Sequence, residues 1–315
     1  LPFVIFYSNH STISRNYTLY DPGLSAVEEE IYSRIDSVFR IINITLYSII
    51  FILGTAGNGL VIWIIGFKME KTATLIWFLN LAIADFSFCL FLPLYITEWA
   101  LGHYWPFGQI MCKTCTFNLH LNLSASVLFL MIISVDRCIC VLYPIWAKIH
   151  RTSRLALTIS VVIWFLSGKQ HITMLITRFV SMFLIPFPIM LVCYGLIAFR
   201  VRKNSRIPGS GRTLKIAFTI VICFFLCWFL YHSLPMIYTA QIYIRYPWDE
   251  ILYYLAHCLA YFNSCLNPII YVFIGRDFKK SLRTSIPFLL ESTFRESNDP
   301  PEMLNNNHRE SETMT

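Results

Sequence analysis

The chain has 315 residues, 56% of them hydrophobic and 14% charged, with a formal net charge of +7 and a mean hydropathy of +0.58. Soluble domains carry about a quarter charged residues, so this composition excludes an ordinary soluble domain and points to a helical membrane protein. The basic residues sit between long apolar runs, which makes the positive charge topological rather than a nucleic-acid footprint; the ten cysteines show no zinc-type spacing, and most lie inside apolar runs as small core residues.

The segment 1–40 reads as an extracellular tail. It begins with Leu1 rather than Met, so an incomplete N-terminus is expected, and its LPFVIFY opening is too short and lacks the charged lead of a signal peptide. Two sequons, Asn9-His10-Ser11 and Asn16-Tyr17-Thr18, make Asn9 and Asn16 candidate glycosylation sites. Asn43-Ile44-Thr45 and Asn122-Leu123-Ser124 also match, but both fall in predicted spans, where no glycan is expected.

A spanning helix needs about 20 mostly apolar residues. Such runs lie near 41–66, 73–98, 109–141, 172–199, 214–242 and 250–274. A seventh, 155–167, has 13 apolar or small residues, roughly 20 Å against a hydrocarbon layer of roughly 30 Å. Backbone polar groups in lipid must be satisfied internally, so these runs are helices. The basic residues Lys68 and Lys71, Lys148, Arg151 and Arg154, Arg200 to Lys215, and Arg276 to Arg283 fall on one side only if the short segment also crosses. The charge pattern thus calls for seven crossings over 41–275, with the N-terminus outside and the C-terminus inside.

Several polar residues stand where a membrane interior makes them costly, and such residues default to functional hypotheses. Asp85 is mid-span, Asp136-Arg137 closes the third span, and Arg178 lies early in the fifth. Asn122, Ser126, Asn263, Ser264 and Asn267 are deep.

Asn58 in GTAGNGLV, Asp85 in LNLAIAD, Trp105 in HYWPFG, Cys112, Asp136-Arg137-Cys138, Trp228 in FFLCWFLY and Asn263 to Tyr271 in NSCLNPIIY occur in that order along the chain. Together they resemble the motifs of rhodopsin-class (class A) G-protein-coupled receptors over roughly 45–285. Within that class, GFKMEKT, WFLNLAIADF, HYWPFG, DRCICVLYPIW, HRTSRLA and GRDFKK resemble the chemerin receptors (chemokine-like receptors) and the formyl-peptide receptors, with the complement anaphylatoxin receptors as near relatives. The resemblance implies an all-α membrane protein: a seven-transmembrane helix bundle in the plasma membrane, with a short amphipathic eighth helix. It implies a receptor, not an enzyme, that passes binding of an extracellular chemoattractant peptide or protein to a heterotrimeric G protein, of Gi type by analogy.

What the resemblance implies for individual residues can be set beside their chemistry. Asp85, Asn122, Ser126, Asn263 and Asn267 come from three spans and make an oxygen-lined cage for an allosteric Na⁺, or a polar core satisfied by water alone; no other cofactor is expected. Asp136 is expected to hold Arg137 at rest, and Arg137 to meet the G protein when released; outside the motif, such a pair reads as a solvated helix end. Tyr194 and Tyr271 are the tyrosines expected to swing inward. Pro186 and Pro268 each remove a backbone donor inside a span and read as hinges. Trp228 carries the position of the family's toggle, but Leu230 replaces the proline usual two residues later, which weakens that role.

At the ligand end, Arg178 sits eight residues before Pro186, where an arginine lines the peptide pocket in formyl-peptide and anaphylatoxin receptors. A buried guanidinium suits a peptide C-terminal carboxylate; snorkelling to the outer interface is the alternative. His120, Tyr95, Trp99, Tyr231, Tyr238 and Tyr261 are its candidate neighbours. The acidic, tyrosine-bearing tail would suit a basic protein ligand, or is an ordinary solvated segment. An amine ligand is disfavoured, since no aspartate lies near His120.

At the inner end, residues 276–286 place Phe278, Leu282 and Ile286 on one side and basic residues on the other, an amphipathic helix lying on membrane lipid. The following 287–315 read as a disordered cytoplasmic tail. Within it Ser292, Thr293, Ser297, Ser311 and Thr313, with Thr315, lie near acidic residues and are expected targets of a receptor kinase, leading to arrestin binding.

The stretch WFLSGKQHITMLITRF (164–179) breaks the regular pattern. The relatives have a full fourth span and a long second extracellular loop, whose cysteine bonds to one like Cys112. Here the upper part of that span and the loop are expected to be missing, leaving Cys112 without a partner. Cys115, three residues on in the same helix, is badly placed for a disulfide. An omission in the gene model or in splicing is one cause, a genuine deletion the rival. The break and Leu230 also leave open a non-signalling scavenger or degenerate receptor. A transporter is disfavoured by the lack of an internal repeat, an enzyme by the lack of a metal or nucleophile motif, and a retinal opsin by the lack of a lysine in 250–274.

Overall fold

The computed structural model describes residues 26–169, 177, 179–203, 210–240, 242, 244 and 248–274, with the helix ends described by backbone alone. Every regular element among them is helical. In chain order these are α1 (Ala26–Trp63), continued by a π-helical turn (Ile64–Lys68); α2 (Ala73–Cys89); α3 (Leu92–Ala100); α4 (Gly108–Leu142); α5 (Pro144–His150); α6 (Ser153–Lys169); a π-helical turn (Val180–Leu184) leading into α7 (Pro186–Lys203); α8 (Ser210–Thr239); and α9 (Trp248–Ile274).

Five helices among the described residues are long and apolar enough to cross a membrane, or six if the bent pair Pro144–His150 and Ser153–Gly168, which meet at 81°, is one span. The helix α6 has 17 residues, about 25 Å at 1.5 Å per residue. It is longer than the apolar run 155–167 but still below the roughly 30 Å of a hydrocarbon layer. The eighth helix expected at 276–286, the tail 287–315 and the segment 1–25 lie outside the described residues, as do Asn9, Asn16, the stretch 170–176 and Arg178.

Local chemistry explains where the helices bend. The apolar run 73–98 forms one candidate span, Ala73–Ala100, with a break inside it: Pro93 has no N–H to reach the carbonyl of Cys89, so α2 stops and α3 restarts with proline in its first turn. The α3 helix ends in a Schellman turn, with Gly102 at φ +65°, its N–H on the Trp99 carbonyl at 3.2 Å, and the His103 N–H on the Glu98 carbonyl at 2.9 Å. The turn before α7 closes through the Ile185 N–H on the Val180 carbonyl at 2.9 Å, so Pro186 begins a helix, where its missing donor costs least.

The helices close into a ring. The helix α1 packs on α2, α3 and α9; α2 packs on α4 and α6; α4 packs on α6 and α7; α7 packs on α8, and α8 on α9. One end joins Asp36 to His103 at 3.8 Å, with Arg40 beside Gly102. The opposite end joins Ser153 to the Lys71 carbonyl and Arg151 to Thr74. Close approach of α1 relies on small residues. A Cβ on Gly54 would lie 2.4 Å from Cys89 Sγ, and one on Gly57 would lie 2.8 Å from Pro268 Cβ.

The core is apolar and aromatic, and Trp228, Phe88, Phe129 and Phe224 are among its largest fully buried side chains. Large apolar residues such as Val161, Phe165, Val192, Leu226 and Phe229 point outward, as the lipid face of a membrane bundle should. Asn43 is buried, donating to the Phe39 carbonyl at 2.9 Å and accepting from Cys258 Sγ, which leaves its sequon no glycan-accessible amide.

Candidate functional site: a buried polar spine

The helix α4 carries polar residues down its buried side, and α2 and α9 meet it there. Asp85 is fully buried. Asn122 Nδ2 donates to Asp85 Oδ1 at 3.0 Å, and Asn267 Nδ2 donates to Oδ2 at 2.7 Å. Ser126 and Ser264 are also fully buried; both bear on the same carboxylate without reaching hydrogen-bond geometry, and neither hydroxyl has a partner among the described residues. Among the described residues no basic side chain is ion-paired with Asp85. A carboxylate so placed, held by neutral donors and with two serine hydroxyls beside it, gathers several oxygen atoms at one buried point.

The same geometry separates the cage residues into two groups. Asn122 and Asn267 turn their amide nitrogens to Asp85, so they fix the carboxylate rather than offer it oxygens. Asn263 is buried with its Nδ2 unpaired among the described residues. Ser264, a residue not assigned to the cage from sequence, is brought to Asp85 by α9. Its carbonyl accepts from Asn58 Nδ2 at 2.8 Å.

Below this centre, at the end carrying Lys71 and Arg151, lies Asp136. Both of its oxygens are taken by Arg151: Nε meets Oδ1, and Nη2 meets Oδ2 at 2.9 Å. Thr74 donates to Oδ2 at 3.3 Å and meets Arg151 as well. The expected hold of Asp136 on Arg137 is not the pairing found: the hydrogen bonds of the carboxylate go to Arg151, and Arg137 stays within the field of the same charge. Arg151 was visible in sequence only as a positive loop residue. Tyr194 is buried, its hydroxyl 3.1 Å from Ser134 Oγ on α4. Tyr271 lies in α9 with its side chain outside the described set.

Toward the other end the buried interior is aromatic. Tyr261 touches Tyr47, Phe88 and Tyr95 at ring separations of 5.0, 5.1 and 5.8 Å. Tyr47 meets Trp99 at 6.3 Å. Tyr231 meets Trp228 at 5.3 Å and His257 at 5.3 Å, and His257 meets Tyr261 at 6.0 Å. Four of the sequence candidates, Tyr95, Trp99, Tyr231 and Tyr261, therefore belong to one ring network. His120 points back at its own helix, with Nδ1 2.7 Å from the Thr116 carbonyl. Tyr238 is half-buried near the end of α8. The sequence reading missed Tyr47 and His257; their helical spacing toward the core was the available signal. Trp228 is buried, with its Nε1 unpaired among the described residues and Leu230 packed against the core two residues on. Cys112 is a half-buried free thiol, as Cys115 is a buried one.

A family model described as 7 transmembrane receptor (rhodopsin family) matches residues 57–177 and 167–271, two segments that overlap at 167–177. The chain belongs to the rhodopsin family of seven-transmembrane receptors. It is thus a multi-pass membrane receptor and not an enzyme. N-formyl peptide receptor 2 of Homo sapiens is 37% identical over 330 residues, covering 90% of this chain and 94% of that receptor. Formyl peptide receptor 2 of Mus musculus is 36% identical over 327 residues, covering 89% and 92%. Chemerin-like receptor 1 of Sus scrofa is 38% identical over 325 residues, covering 87% and 88%. With the human receptor, 90% of 315 residues is about 284, so about 46 of the 330 aligned positions have no counterpart in this chain.

Proposed function

We propose that this rhodopsin-family receptor is a plasma-membrane receptor for a chemoattractant peptide or protein, with its N-terminus outside and its signal passed to a heterotrimeric G protein. The observation that carries the reading is the chain of ring contacts from Tyr95 and Tyr261 through His257 and Tyr231 to the buried Trp228 and Phe224, in a bundle whose other end holds the Asp136 charge cluster. Identity near 37% to formyl peptide and chemerin-like receptors over nine-tenths of the chain supports the ligand class. Peptides of those two classes, N-formylated peptides and chemerin, are the ligands to try first. Arg178 is assigned to the ligand's carboxylate, with Tyr95, Trp99, His120, Tyr231, Tyr238 and Tyr261 around it.

Na⁺ is assigned to Asp85 with the hydroxyls of Ser126 and Ser264, while Asn122, Asn263 and Asn267 hold the surrounding polar network. The bound ion would supply a positive charge beside the carboxylate and so favour the resting bundle. A G protein of Gi type, a receptor kinase acting on Ser292, Thr293, Ser297, Ser311 and Thr313, and arrestin complete the expected partners.

The roughly 46 positions without a counterpart, and the overlap of the two family segments at 167–177, support a missing block beside Gly168 that includes the partner of Cys112. That block would also complete α6. The test is to express this chain, and a second form carrying a relative's residues at the break, and to read ligand-driven G-protein dissociation in cells. Response in both forms supports the receptor reading for the chain as it stands. Response only in the filled form makes this chain the non-signalling alternative. Silence of both, with normal surface delivery, removes the proposed ligand class.

A further inference from the structure

Asp136 is mostly buried and has two candidate cations within reach. Arg137 follows it in sequence, and Arg151 comes from the corner between α5 and α6. The corner decides the competition. The chain turns through 81° between these helices, and Arg151 N–H closes on the Ala147 carbonyl at 3.1 Å. That fixes the backbone from which the Arg151 side chain reaches Asp136. The guanidinium then engages both carboxylate oxygens in the bidentate form that suits arginine. It is half-shielded, at 26% exposure, and the Asp136 side chain is 9% exposed. Thr74, from the first turn of α2, closes the triad. A second tie, Ser153 Oγ to the Lys71 carbonyl, sits immediately beyond it. Three elements, the start of α2, the end of α4 and the start of α6, therefore meet at one charge.

We propose that Arg151 is a positioning residue of the cytoplasmic switch: by donating hydrogen bonds to both oxygens of Asp136 it loosens the hold of the carboxylate on Arg137 and so favours the meeting of Arg137 with an intracellular partner. This rests on the G-protein reading above for its consequence, but not for its geometry. Arg151 and Thr74 together place three donors on the Asp136 oxygens, which leaves little of the carboxylate's accepting capacity for Arg137. When Arg151 is removed, Asp136 is left as a buried charge, and Arg137 becomes its nearest cation. The prediction has a definite sign: losing Arg151 restrains Arg137 and lowers signalling.

The test uses the full chain in lipid nanodiscs, with Arg151→Gln, Arg151→Lys, Asp136→Asn and the Arg151→Gln/Asp136→Asn pair. Amide hydrogen exchange is read over 143–156 and 71–76. Arg151→Gln should speed exchange there by about tenfold or more, since one partner of a mostly buried pair is lost. Arg151→Lys, which keeps the charge without the fork, should fall between it and the parent. In the Asp136→Asn background, Arg151→Gln should add less than about twofold, because its partner is already neutral. Unchanged exchange in Arg151→Gln, or equal effects with and without the Asp136 charge, overturns the proposal.

Basal nucleotide exchange on an added Gi heterotrimer is the second readout. A fall of about threefold in Arg151→Gln, absent in the Asp136→Asn background, is the expected result. A rise overturns the proposed sign. If the parent chain drives no nucleotide exchange at all, the G-protein reading fails while the amide data still decide the latch.

Discussion

Asn58 Nδ2 donates to the Ser264 carbonyl at 2.8 Å, replacing the hydrogen bond that Pro268 cannot make. In an unbroken helix that carbonyl would accept from the N–H four residues on, which is the position proline occupies. The side chain from α1 thereby replaces the missing bond of α9 beside the Asp85 centre. The same Nδ2 also reaches the Gly54 carbonyl at 3.0 Å.

Replacing Asn58 by alanine should therefore leave a buried carbonyl unpaired and cost about 1–3 kcal/mol. The measurement is the thermal midpoint of the purified receptor. A conservative Asn58→Gln change should not rescue it, because the longer side chain places its amide elsewhere. A midpoint unchanged in Asn58→Ala would mean that Ser264 finds another donor.

Gly54→Ala should be destabilising by about 1–3 kcal/mol through overpacking, since its new methyl would stand 2.4 Å from Cys89 Sγ. Removing that sulfur should relieve most of the clash. Gly54→Ala with Cys89→Ala is expected to melt above Gly54→Ala alone, although Cys265 Sγ at 3.3 Å keeps the fit tight. Purely additive losses would place the strain at some other contact.

Under the proposed Na⁺ assignment, Asp85→Asn removes the charge that would draw a cation into the core. In the parent, added NaCl should raise the thermal midpoint relative to equal choline chloride, by linkage to the folded state. Asp85→Asn should abolish that difference, and Ser126→Ala should reduce it. An equal sodium effect in Asp85→Asn would remove the ion from this site.

Gly102→Ala tests the turn at the opposite end. Gly102 adopts φ +65°, where an alanine costs about 1 kcal/mol. The displaced turn should also loosen His103 from Trp99, now 4.4 Å apart. The readouts are a lower thermal midpoint and faster exchange over 98–105, with α5 and α6 unaffected.

Composition, the seven apolar runs and the positions of the basic residues determined by themselves that this is a helical membrane protein with ends of opposite character. Those features need no tertiary knowledge, because the lipid environment forces helices and length sets what can cross. Motifs such as NLAIAD and NSCLNPIIY also marked Asp85, Asn263 and Asn267 as special. Even the kink before α3 was available in Pro93, though a run of apolar residues hides it from a hydropathy reading.

Only the tertiary structure decided how those residues divide their work. Asn122 and Asn267 face Asp85 with nitrogen, and Ser264 joins them, because three helices rotate these side chains to one point. Tyr47 and His257 enter the aromatic wall for the same reason. The adjacency of Asp136 and Arg137 in sequence suggested a pair, yet the carboxylate goes to Arg151, fifteen residues along. Sequence order reports neighbours along the chain; a charge in a low-dielectric core takes the partner that geometry delivers, and that is fixed only when the α5–α6 corner is packed against α2 and α4.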